Sequence, residues 1–150
     1  MNFKAILENQ MRWTAIIGWF LAQLLRIPTG YIMHKGWHWE YFFNPGGMPS
    51  SHSALVTSAA IAAGLFHGFD SAIFALAVAV AMVVVYDAAG VRRQAGIHAQ
   101  KINILVQELL KGHSLNQEQL REVIGHTPIE TIAGVILGLV TALGVWLVWK

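Results

Sequence analysis

The chain has 150 residues, of which 55% are hydrophobic and only 12% charged, with a mean hydropathy of +0.51. A water-soluble domain carries about twice that charged fraction, so most of this surface faces something other than water, and the composition reads as an integral membrane protein. A formal net charge of +2 is too mild for a nucleic-acid binder, and the lack of cysteine excludes a disulfide framework, a thiolate metal site and a thiol nucleophile.

The length suits one compact domain over residues 1–150. Residues 1–12 are mixed, with Phe3, Ile6 and Leu7 on one helical face and Lys4 and Glu8 off it, which predicts a short interfacial helix and no secretory signal. Residues 13–27 form the first spanning candidate. Pro28 can kink that helix rather than end it, so it can run on through Tyr31, Ile32 and Met33. Gln23 and Arg26 then share one face inside the membrane, unless Arg26 snorkels to the headgroups. The loop over 34–45 holds Trp37, Trp39, Tyr41, Phe42 and Phe43, a cluster suited to headgroup level. His34 and His38 have no acidic partner at helical spacing and read as interfacial rather than metal-binding.

Gly46-Gly47-Met48-Pro49-Ser50-Ser51-His52-Ser53 is the densest chemical stretch. Glycines let backbone close around a ligand, and helix starts bind anions through unpaired N–H groups. The same residues also read as a plain turn capping a membrane helix. A second span follows over 50–66, rich in alanine and serine for close packing. His67-Gly68-Phe69-Asp70 is a tight turn, with Ser71 as cap of a third span over 72–86. That span leads into Asp87 and then Arg92 and Arg93, a charge cluster at its end. Residues 94–125 are the water-compatible stretch and predict two amphipathic surface helices, the first with an apolar stripe of Ile102, Leu105, Val106 and Leu109. The last span covers 127–149, with Gly134 and Gly138 as a helix-contact face.

The start of that span, His126-Thr127-Pro128-Ile129-Glu130, reads as a capping box: Thr127 the N-cap, Pro128 the first helical residue, Glu130 the third. The box accounts for Thr127 and Glu130 without chemistry. It does not account for His126, which sits four residues before Glu130, where a carboxylate can fix the imidazole tautomer. Four spans would put His52, Arg92, Arg93, His126 and Glu130 at one membrane face, with Arg26 nearby. Two imidazoles, several guanidiniums and a glycine-rich helix start are the parts for phosphoryl transfer without a metal.

Four blocks carry a specific resemblance: Ala22-Gln23-Leu24-Leu25-Arg26, Gly46 to Ser53, Tyr86 to Arg93, and Gly125 to Glu130. The chain resembles the divergent branch of the type-2 phosphatidic acid phosphatase superfamily, also called acid phosphatase/vanadium-dependent haloperoxidase-related membrane proteins. The resemblance implies His126 as nucleophile, Glu130 as its orienting acid and His52 as proton donor. It implies Arg26, Arg92, Arg93, Ser50 and Ser51 around phosphate, with Asp87 and Lys35 as accessory groups. The superfamily's Pro-Ser-Gly-His block has Ser51 in place of glycine here, its His-x3-Asp block has glutamate, and its first block, Lys-x6-Arg-Pro, is absent.

The expected fold is an all-α membrane bundle of about four transmembrane helices plus amphipathic surface helices, in a multi-pass protein of the cell membrane. The expected activity is metal-independent and cofactor-free hydrolysis of a lipid phosphate: phosphatidic acid, phosphatidylglycerophosphate or a prenyl pyrophosphate. A second reading is a catalytically inactive phospholipid-headgroup binder or carrier. A third is an assembly subunit forming a homodimer through Gly134 and Gly138. Lysine and arginine counts lean toward a cytoplasmic site, whereas the resemblance implies the outer face.

Overall fold

The computed structural model describes residues 7–34, 47–109 and 126–149, with the side chains at 33, 34, 92, 93 and 108 outside the described set. All five described elements are α-helices.

Helix α1 (Gln10–His34) starts earlier than expected. Asn9 caps it: its side chain accepts the Arg12 N–H at 2.9 Å, and its carbonyl accepts that of Trp13 at 3.2 Å. Residues 10–12 are therefore the first turn of α1 rather than the end of a separate interfacial helix. Pro28 lies inside the helix, which continues past it. Thr29 holds that turn together, its hydroxyl donating to the carbonyl of Leu25 at 2.9 Å. The same hydroxyl also reaches the Met48 carbonyl of the following loop.

Helix α2 (Ser51–His67) is capped by Ser50, whose hydroxyl accepts the Ser53 N–H at 3.3 Å. It ends at Gly68, whose φ of +96° suits a residue without Cβ. After the tight turn, Ser71 caps α3 (Ala72–Ala89) through the Phe74 N–H at 3.2 Å, as its sequence position predicts. Phe69 folds over Gly64 and meets Phe74 edge-on, centroids 5.1 Å apart. Only Gly90 separates α3 from α4 (Val91–Leu109). The amphipathic helix thus begins three residues before the expected boundary and takes Arg92 and Arg93 into its first turn. The second expected surface helix lies outside the described residues. On α4 the apolar stripe of Ile102, Leu105, Val106 and Leu109 is exposed, while Gly96, Ala99 and Asn103 are buried. An outward apolar stripe suits a helix resting on lipid rather than on protein. Helix α5 (Pro128–Trp149) completes the bundle.

Helix α2 is the hub: it packs against α1, α3 and α5, and α1 also touches α5. Small residues set this arrangement, because helices in lipid associate through close van der Waals packing. A Cβ on Gly18 of α1 would meet the Ser58 hydroxyl at 2.5 Å, and one on Gly138 of α5 would meet the Ala54 carbonyl at 2.7 Å. A Cβ on Gly134 would collide with the Ser50 carbonyl. The Gly134 and Gly138 face is therefore filled inside the chain, which corrects its assignment as a homodimer seam.

Among the described residues three stretches are long and apolar enough to cross a membrane: Gln10–Ile32, Ala72–Gln107 and Pro128–Trp149. The expected second span is α2. Its 17 residues, about 26 Å long, sit at the short end of the spanning range. Its neighbours wrap it, so Ala54, Ala62 and Ala63 touch protein instead of lipid. By contrast, Leu76, Met82 and Val83 of α3 are exposed and apolar. The molecule is an all-α membrane bundle.

Candidate active site

Two helix starts meet at one end of the bundle. The Ser50 N–H at the head of α2 donates to the Glu130 carbonyl in the first turn of α5, at 2.9 Å. Gly134, one turn further along α5, leaves the space for that approach. A second backbone bond runs from the His126 N–H to the Ala88 carbonyl at the end of α3, at 3.1 Å. Together these two bonds tie the starts of α2 and α5 to the end of α3.

The capping box forms as the spacing predicts. Thr127 Oγ1 accepts the Glu130 N–H at 3.3 Å, and Glu130 Oε2 accepts the Thr127 N–H at 3.2 Å. The same Oε2 lies 3.0 Å from His126 Nδ1. An ionised carboxylate can only accept, so with Glu130 ionised Nδ1 carries the proton and Nε2 presents its lone pair. His126 is 1% exposed, and its Nε2 has no hydrogen-bond partner among the described residues. The His52 ring stands across from it, centroids 6.0 Å apart and planes tilted by 57°.

Arg26 enters from α1 and is 3% exposed. Its Nε donates to the Pro49 carbonyl and its Nη2 to Ser51 Oγ, each at 3.2 Å. It is also near enough to Glu130 for the two charges to attract. The loop before α2 folds over this side chain: Gly47, at φ +118°, is placed so that a Cβ would touch the Arg26 stem at 3.8 Å. Arg26 is thus drawn into the bundle rather than out to the headgroups. A buried guanidinium is tolerated where carbonyls, hydroxyls and a carboxylate surround it.

The other expected residues fall as follows. The Ser50 hydroxyl serves as the cap of α2 and also accepts from the Ser53 hydroxyl at 3.1 Å. Ser51 is beside Arg26. Asp87 is half-buried in the last turn of α3, next to Ala88. Arg92 and Arg93 lie in the first turn of α4, and their side chains are outside the described set. Lys35 is outside the described residues, as are His38 and His113; His98 is exposed. Among the described residues no three of His, Asp and Glu gather into a metal-ligand set. Sequence reasoning gave no role to Thr29, to the Pro49 carbonyl or to Gly134 as the spacer between helix starts. Thr29 lies three residues from Arg26, and that spacing was the available signal.

Residues 7–141 match the divergent PAP2 family. The chain belongs to the divergent PAP2 family. Family membership thus covers both helix starts and the Arg26 turn. It is similar to YuiD, an uncharacterized membrane protein of Bacillus subtilis (strain 168), with 34% identity over 149 residues, covering 92% of this chain and 94% of the relative. No solved structure matches.

Proposed function

We propose that this protein is a metal-independent phosphatase of membrane lipid phosphates, working through a phosphohistidine. The observation that carries the proposal is the pairing of His126 and His52 across 6.0 Å, with His126 Nδ1 held by Glu130 and Nε2 unpartnered among the described residues.

In this reading His126 Nε2 attacks phosphorus in line, forming an N–P bond as the P–O bond to the lipid alcohol breaks. The leaving oxygen takes a proton from His52. Water then attacks the phosphohistidine with His52 accepting its proton, so phosphate leaves and His126 is restored. Glu130 keeps the nucleophile in one tautomer and stabilises the cation that develops on its ring. Arg26 stabilises the equatorial oxygens, with Arg92 and Arg93 supplying charge from the start of α4 and the amides of the first α2 turn adding fixed dipoles. The exposed apolar faces of α3 and α4 support a substrate drawn from the bilayer, with phosphatidic acid, phosphatidylglycerophosphate and prenyl pyrophosphates as the candidates. The same setting suits a multi-pass protein of the cell membrane.

The test is phosphate release from these three lipids by purified protein in chelator. Wild type turns over at least one, and His126→Ala reduces release to background. Release that survives His126→Ala removes the mechanism. Lipid binding that survives it, with no release by wild type at any pH, leaves a headgroup binder instead.

A further inference from the structure

One buried polar group near this site has no role so far. Gln23 lies on α1, three residues before Arg26 and on the same face, about 4.5 Å deeper along the helix axis. It is 8% exposed, and its side-chain Oε1 has no hydrogen-bond partner among the described residues. A buried acceptor left unpaired is destabilising, and native proteins pair nearly all such groups with protein, an ordered water or a ligand. Ala22 beside it is fully buried, so this stretch of α1 faces the α2 and α5 packing.

The groups assigned to the phosphate in the reading above do not tell one oxyanion from another. A guanidinium only donates, as do first-turn amides. An unpaired carbonyl oxygen is different: it can be satisfied only by a donor. A terminal phosphate that keeps one proton has such a donor, its P–OH. A phosphodiester, the group that most bilayer lipids carry, has none, and neither does sulfate.

We propose that Gln23 is the acceptor at the floor of the phosphate pocket and selects oxyanions that carry an O–H, a singly protonated phosphomonoester in the membrane. The assignment rests on the phosphate-pocket reading above but does not require turnover. Arg26 and the α2 start hold the oxygens, His126 Nε2 faces phosphorus, and the P–OH donates inward to Gln23 Oε1. A site built to satisfy one hydrogen bond rejects an analogue that lacks it, because the buried partner is then stranded. A diester lipid that enters leaves Gln23 unpaired.

Calorimetric titration of the full chain in detergent at pH 6, with inorganic phosphate and with sulfate, tests this. Wild type binds phosphate about tenfold more tightly than sulfate, the value of one good hydrogen bond. Gln23→Met and Gln23→Leu bring phosphate affinity down to that of sulfate and leave sulfate affinity unchanged. Both variants also melt no lower than wild type without ligand, since each removes an unpaired buried group. Equal affinities in wild type, no binding of either anion, a preference that survives in both variants, or failure of both variants to fold each overturns the assignment. Phosphate release from lipid, measured on the same preparation, separates the two proposals. Discrimination without release keeps Gln23 and removes the phosphatase; release without discrimination does the reverse.

Discussion

The starts of α2 and α5 are built alike and end differently. Each has a hydroxyl cap, a proline within one residue of that cap, and a histidine within two. At α5 an acid stands at the third helical position, and Glu130 binds both the cap backbone and the imidazole. At α2 there is no acid in the first turn. Ser53 takes that position and bonds the cap hydroxyl instead. His126 is consequently buried with one nitrogen committed to a carboxylate, while His52 is half-buried with no carboxylate in its helix's first turn. In the proposed mechanism that one carboxylate separates the group that attacks from the group that passes protons.

Glu130→Gln gives the largest effect on that contrast. Glutamine still completes a capping box, so the melting temperature in detergent stays close to wild type. It can present its amide donor to Nδ1, which favours the wrong tautomer. Phosphate release falls by up to about 10⁴-fold, the scale of the equivalent change in a serine protease triad. A large loss of stability with a small loss of turnover would mean that Glu130 serves the helix alone.

His52→Gln comes next. Without its proton donor, release from an alkyl lipid phosphate drops by about 10²- to 10³-fold. An aryl phosphate, whose leaving oxygen needs no proton, forms the phosphohistidine at nearly the wild-type rate in a rapid-quench measurement. Equal losses on both substrates would assign His52 to binding.

The smallest effect concerns the distance between the two helix starts. Gly134→Ala drives a methyl group into the Ser50 carbonyl and to 2.9 Å from the Ser53 Cβ, so the heads of α2 and α5 separate. The cost is about 1–3 kcal/mol, read as a lower melting temperature together with lost release. Gly144→Ala is the paired control. Nothing lies within 4 Å of that position, so the variant is as stable as wild type or more stable by up to about 1 kcal/mol.

Much of this was legible in the residues. Ser71, Thr127, Pro128 and Glu130 identified their helix starts because a cap bond spans three residues and depends on nothing distant. Pro28 read correctly as internal to a helix, with Thr29 supplying hydrogen bonds beside it. The α3–α4 boundary was misplaced because an apolar run and a helix need not end together: the chain turns amphipathic while still helical, with only Gly90 between. The Gly134 and Gly138 seam read correctly as a helix contact and wrongly as a contact between copies, since a small-residue face does not specify its partner.

The sequence alone determined the apolar helices, the caps at Ser71 and Thr127 and the His126–Glu130 pair, because bonds between residues three or four apart are fixed by helical geometry. Only the tertiary structure decided that His52 faces His126, that Arg26 turns inward beneath the 47–51 loop, and that α2 lies at the centre. Those outcomes depend on how closely backbones approach, and that distance is set by missing side-chain volume at Gly18, Gly134 and Gly138 acting together across three helices.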